Sequence, residues 1–523
     1  MLMITDFTET FGGLFLTAMF ALYIMRSMYV RSANRSGLPP GPKRVPFLGN
    51  VHQIPRTDQH ITFMQWATQY GDVVYAEFFG KPMVILSSVK AVNDLLEKRS
   101  AKYSSRPYLR YYLDLVGWTG NVALAPYGET WRRWRKWFQK GFIARTAANS
   151  YHPIQCREVR RLLYDLLQKP DDFVFALKRY TAAIVLDIGY GHRVTSLEDD
   201  KFIRLVEDGL EKSLEGSGAG SAFVDFFPIL VDIPAWMPGM GWKYWAMIAR
   251  KAVKAMEDIP YDVVKSDVAA GTARPSFTAS LIEELSRKGT FMEKDECDIK
   301  GAAGTLYAAG TGTSLASMIV FILVMVQCPA VFEKAQDEMA RVVGDTRLPV
   351  FEDRESLPYL ECIIREVYRW CPPVATSVPR QTQEDDVYRG YYIPKGSTIV
   401  TNLWAIFRDP NMYPEPDTFK PERFLNKDED DAFDIKDPKK IVFGAGRRVC
   451  PGRYFADDNI WLAAASIVAT MAIRKARSEN GEEILPTLKF LSGTVMTPEP
   501  FVCEIRPRSQ KTLQLILDSV VQL

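Results

Sequence analysis

One cysteine stands where its neighbours could activate it. Cys450 sits near the end of Phe443-Gly444-Ala445-Gly446-Arg447-Arg448-Val449-Cys450-Pro451-Gly452, ahead of an apolar run from Phe455 to Met471. Gly444, Gly446 and Gly452 permit backbone conformations and close approaches that a Cβ would forbid. Asp457 and Asp458 suit the first turn of a following helix, at its positive dipole end. A thiol just before such a helix is favoured as thiolate. Thiolate sulfur is a haem-iron ligand, tuned by hydrogen bonds, and Arg448 is spaced to reach an anionic group on the same cofactor. The plainer alternative is a buried structural thiol beside a helix cap.

Three further stretches supply polar side chains at helical spacing. From Gly301 to Ala330 no residue is charged, a length that would also pass as a membrane span. Its first half is small and polar, and a second span would put Cys450 and Trp131 on opposite sides of a bilayer. It reads instead as a helix in the centre of a large core, ending at Pro329. Gly310 and Gly312 each cost roughly 1 kcal/mol against alanine there, which asks for a reason. Trp131-Arg132-Arg133-Trp134-Arg135-Lys136-Trp137 reads as an amphipathic helix with Trp131 and Trp134 buried and Trp131 and Arg135 on one face. Leu357 to Trp370 is a helix stopped by Cys371-Pro372-Pro373, and Glu366 and Arg369 are one turn apart within it.

The pattern F-x-x-G-x-R-x-C-x-G at Phe443, Gly446, Arg448, Cys450 and Gly452 resembles the haem-binding loop of cytochrome P-450 monooxygenases. That resemblance implies haem b, with Cys450 as proximal thiolate, Phe443 shielding the sulfur and Arg448 on a propionate. Ala309 to Ser314 resembles the family's oxygen-activation motif, A-G-x-(Asp/Glu)-T-(T/S). There Gly310 would let the helix approach the haem, and Thr313 would deliver protons. Gly312 replaces the usual acid, a departure that leaves proton delivery to water or another side chain. Glu366, Arg369 and Arg423, in Pro421-Glu422-Arg423-Phe424, resemble the Glu-Arg-Arg scaffold triad. Trp131 and Arg135 resemble the helix that bonds one propionate, and Arg380 the strand residue that holds the other. Pro373 to Val378 and the turn Ser492 to Met496 are expected beside the pocket. Tyr103 to Tyr127, expected as a long loop, would roof it, with residues 203–245 also shaping it.

The remaining elements must position these groups. The 523 residues hold no repeat or low-complexity linker, and 47% hydrophobic with 24% charged residues supports one large core. The expected fold is mainly α with small β-sheets, a catalytic domain over 37–523 behind an anchor at 1–36. Val73 to Phe78 and Met83 to Leu86 read as a hairpin around Gly80-Lys81-Pro82, Ser88 to Arg99 as a helix, and 155–290 as mostly helical. Seven scattered cysteines, at 156, 297, 328, 362, 371, 450 and 503, with no C-x-x-C pair point to a reducing compartment. A net charge of +2 gives no reason to expect nucleic acid.

Phe11 to Met25, extended through Val30, is just long enough to cross a bilayer, with acids before it and arginines 26, 31 and 35 after. That bias leaves the body cytoplasmic, as in a signal anchor of the endoplasmic reticulum. Leu38-Pro39-Pro40-Gly41-Pro42 resembles the hinge of microsomal members, and residues 222–245 suit membrane contact. Arg132, Arg133, Lys136 and Lys140 could form a patch for an acidic electron-transfer partner. The expected activity inserts one oxygen atom from O2 into an apolar small molecule, using an NADPH-cytochrome reductase. Two rivals stay open: a haem-thiolate isomerase, dehydratase or peroxygenase indifferent to the acid missing at Gly312, and a non-catalytic haem- or sterol-binding membrane protein.

Overall fold

The computed structural model describes residues 37–195, 200–215, 219–425, 436–491 and 493–521. The expected anchor, at 1–36, lies outside them, as does Ser492. Helices dominate, and the sheets are small.

The helix over Glu293–Gln327 (called α6 below) forms the axis of the core. Glu293, Asp295 and Glu296 occupy its first turn, where the dipole favours acids, and Asp295 accepts a hydrogen bond from the Met292 N–H at 3.1 Å. It ends at Cys328 because Pro329, opening the next helix, supplies no N–H to continue the ladder. The stretch is long and apolar enough for a membrane, yet it is mostly buried inside the protein. Against it pack α3 (Phe173–Tyr190), α4 (Lys201–Glu215), α5 (Gly241–Ala270), α7 (Pro358–Trp370) and α8 (Arg453–Thr470); α2 (His152–Gln168) lies behind α3 and α8, and α1 (Glu129–Phe138) reaches its first turn through the Arg133–Asp295 ion pair.

The largest sheet places one site residue directly. β1 (Val73–Phe78) and β2 (Lys81–Leu86) pair antiparallel, β3 (Arg380–Gln381) and β4 (Thr398–Thr401) follow, and the spatial order is β1-β2-β4-β3. Arg380 sits opposite Ile399. The hairpin turn is Phe79-Gly80 rather than Gly80-Lys81-Pro82: both residues have positive φ, +48° and +79°, as a two-residue turn demands, so Lys81 already pairs with Phe78.

Other expectations shift. Tyr103 to Tyr127 is not all loop, since Tyr111–Val116 forms a wide helical turn burying Tyr111, Leu113 and Val116. Asp457 and Asp458 miss the first turn of α8, which begins at Arg453. They are spent instead on ion pairs: Arg354 reaches both, Lys439 reaches Asp457, and Arg145 reaches Asp458. The proline segment packs on the sheet, the Pro40 carbonyl accepting the Tyr75 N–H at 2.9 Å. A Cβ on Gly41 would lie 1.9 Å from the Tyr75 oxygen.

Candidate functional site

The cysteine loop is shaped by two glycines and one contact. Gly444 and Gly446 have φ of +79° and +58°, and a Cβ on Gly446 would lie 2.0 Å from the Leu96 carbonyl. Glu97, on the same segment, accepts the Gly446 N–H. Gly452 differs: its φ is −90° and a Cβ there meets open space, so the polypeptide imposes no glycine at that position. The loop closes when the Cys450 N–H donates to the Phe443 carbonyl at 2.8 Å.

Cys450 opens onto a cavity of about 310 Å3 lying between this loop and α6. Phe443, Gly444, Arg448, Pro451 and Gly452 bound one side, and Thr305, Leu306, Ala309, Gly310, Thr313, Ser314 and Ser317 the other. Burial pushes the Cys450 thiol up, opposed by the Gly452 N–H and by Arg135. In the polypeptide alone, that burial opposes the expected thiolate. The following helix begins only at Arg453. A metal cation at the sulfur would reverse that balance, because a coordinating thiol is deprotonated outright.

Four arginines line this cavity: Arg106, Arg135, Arg380 and Arg448. Among the described residues none of them forms an ion pair; all donate to backbone carbonyls. Arg135 reaches Val449 at 2.7 Å, Arg380 reaches Ala445 at 2.6 Å, and Arg448 reaches Ser104 and Ala125, each at 2.8 Å. Arg448 also lies over the Trp131 ring, 4.1 Å from its centroid. Burial and neighbouring guanidinium groups push Arg448 down to about 9, burial takes Arg380 to about 10, and Arg106 and Arg135 are lowered too. Arg380 Nη1 is buried without a partner. Uncompensated buried cations are costly, so the site is built for an anion. A porphyrin carrying two carboxylates, with its iron facing Cys450, fits that donor set.

Arg106 escaped the sequence reading. It is a lone cation in a loop, and only the fold brings its Nε to the Ala123 carbonyl at 2.9 Å beside Arg448.

On the opposite wall Thr313 Oγ1 donates to the Ala309 carbonyl at 2.9 Å, and Ser317 to the Thr313 carbonyl at 3.2 Å. Ser314 Oγ is buried with no protein partner, so it has room in its bonding for water. A Cβ on Gly310 would come within 3.2 Å of Val185, whereas at Gly312 it would meet nothing within 4 Å. No carboxylate lines the cavity among the described residues. Pro373, Val374, Ser377 and Val378 line it as expected; among the described residues those of 203–245 do not, nor do those of the turn around Met496, whose N–H instead holds the Pro373 carbonyl at 2.9 Å.

Glu366 and Arg369 meet as their spacing implies, and Arg423 joins them as the resemblance implies. Arg369 pairs with Glu366 through Nε and Nη2 at 2.7 and 2.8 Å, and Arg423 Nε reaches Glu366 at 3.2 Å. The expected basic patch is partly consumed, because Arg133 pairs with Asp295 and Asp298, and Lys140 with Glu284. Arg132 and Lys136 remain outward.

With this geometry in view, the model of the family named Cytochrome P-450 matches residues 39–504. The chain belongs to the cytochrome P-450 family. It is 45% identical to Cytochrome P-450 monooxygenase 176 of Postia placenta over 515 residues, 98% of each chain. It is 43% identical to monooxygenase 136 of the same fungus, covering 92% of this chain and 90% of that one. Cytochrome P-450 monooxygenase ple1 of Rhodocybe pseudopiperita is 38% identical, covering 92% and 91%. The protein is therefore an oxygen-incorporating oxidoreductase of the P-450 monooxygenase class, whose members hold haem b through a cysteine thiolate and use O2, a redox partner and a small-molecule substrate.

Proposed function

We propose that this P-450 inserts one oxygen atom from O2 into a neutral, apolar small molecule such as a terpenoid, a steroid or another secondary metabolite. One observation supports this reading most: a single cavity has Cys450 on one wall, Thr313 on the other and four carboxylate-free arginines along its edge. Cys450 would hold the haem iron, while Arg135, Arg380 and Arg448, with Arg106, would hold the propionates. Trp131 would back Arg448, and Phe443 would cover the sulfur. When bound, thiolate-held haem activates dioxygen, the sulfur pushing electron density that favours O–O cleavage. The chain's own part is to exclude water with the apolar wall, to seat substrate against Leu306, Ala309, Val374 and Val378, and to deliver protons from the Thr313 hydroxyl. Gly310 keeps α6 close to Val185, and Glu366, Arg369 and Arg423 brace the loop from behind.

Electrons would come from an NADPH-cytochrome reductase on the endoplasmic reticulum membrane. The anchor reading of residues 1–36, ahead of a catalytic domain over 37–523, supports that location. So do exposed apolar side chains at Phe47, Ile229, Trp236 and Met247.

The test is the absorption of the reduced protein with carbon monoxide. Wild type is expected to give the thiolate-type band, and Cys450→Ser to lose it while keeping its fold. Well-folded, haem-loaded wild type without that band refutes the assignment. The open space at Gly312 favours one second reading, a peroxide-driven or redox-neutral haem-thiolate reaction; product formed without NADPH and reductase would select it.

A further inference from the structure

Tyr368 lies between Glu366 and Arg369 in α7, yet it faces the cavity they brace. It is 1% exposed, and its side chain touches both flanks of the cysteine loop. The ring packs edge-on against Phe443, seven residues ahead of Cys450, with centroids 5.5 Å apart at 73°. The hydroxyl donates to Asp457 Oδ1 at 3.2 Å, seven residues beyond it. Asp457 is itself fixed, by Arg354 at 2.5 Å and by Lys439 at 2.9 Å. Burial and the Asp457 carboxylate hold the Tyr368 hydroxyl well above its ordinary range, so it stays a donor.

We propose that Tyr368 is a positioning residue for the sulfur. It carries the rigidity of the Glu366–Arg369–Arg423 cluster into the loop by seating the Phe443 ring and tying the loop's far end through Asp457. The Phe443 carbonyl holds the Cys450 N–H, so a shift of Phe443 moves the hydrogen bonding and exposure of the sulfur. Those are the quantities that set the reduction potential of a thiolate-held iron. This inference rests on the reading of Cys450 as the ligand.

Full-length Tyr368→Leu and Tyr368→Phe are to be compared with wild type for haem content, thermal unfolding, the carbon monoxide band and the iron midpoint potential. In the haem-loaded fraction, Tyr368→Leu is expected to shift the reduction equilibrium at least tenfold, 59 mV for one electron. Tyr368→Phe keeps the ring and is expected to move it in the same direction by less. A Tyr368→Leu protein that loses thermal stability but keeps the wild-type potential and band overturns the proposal, leaving Tyr368 as packing alone. Should Tyr368→Leu fail to load haem, Tyr368→Phe and Asp457→Asn decide: a common shift supports the proposal, and two unchanged potentials overturn it. Wild type without a thiolate-type band refutes the ligand reading instead, and is recognised before any variant is compared.

Discussion

Thr313 and Gly312 show how much one position changes a proton's route. The carboxylate expected before the threonine is absent, and the space it would fill is open. On the same wall the Ser314 hydroxyl is buried with no protein partner, and it can exchange protons through water. Thr313→Ala is expected to lower product formed per NADPH consumed by about a hundredfold, the low end of what a positioned proton donor contributes. A Cβ at position 312 meets open space, so Gly312→Glu should raise the unfolding temperature, since glycine costs roughly 1 kcal/mol in a helix interior. Placed with Thr313→Ala, it should recover part of the coupling. Peroxide and product measured against NADPH check the first and last statements, and thermal unfolding checks the second.

Between elements, α7 and the Pro421–Phe424 turn share one hydrophobic cluster through Cys362 and Phe424, and are joined by charge as well. Glu366 and Arg369 are completely buried, and Arg369 also donates to the carbonyls of Phe407 and Pro416 at 2.9 and 2.7 Å. Glu366→Ala strips from two arginines the only carboxylate they pair with among the described residues, a loss of about 3–5 kcal/mol for a buried pair missing one partner. Little haem-loaded protein is expected, measured as the ratio of haem absorbance to protein. Normal loading would show that the cluster is dispensable.

Across the whole molecule the stability should carry the mark of one buried acid. Glu257 on α5 lies against Gly304 of α6, where a Cβ would come within 3.0 Å of its Cγ, and its Oε1 has no partner. Burial, then Asp258, raise its carboxyl from 4.5 to about 8, against the pull of Lys254 and Lys300. The folded state thus binds the proton more tightly than the unfolded chain. Its contribution is fully present below pH 4.5 and is lost progressively as pH rises to about 8. Glu257→Gln should flatten that decline and be the more stable protein above pH 8, as read from denaturant midpoints across pH. Parallel curves for the two proteins would show that Glu257 titrates normally.

Glu366 and Arg369 could be paired in the chain because they lie one turn of helix apart, and Cys450 stood out in a glycine-shaped loop, while Thr313 and Arg423 were picked out by resemblance to the family's motifs. The central helix was legible as well, since thirty uncharged residues have few places to go. Arg106, Tyr368 and the open face at Gly312 were not, and neither was the diversion of Asp457 and Asp458 from the helix dipole to Arg354. The rise in the Cys450 thiol and the loss of Arg133 to Asp295 also belong to the folded molecule alone. Local spacing determines which groups share a face. Depth, and the charges that arrive from distant segments, exist only once the chain has closed around them.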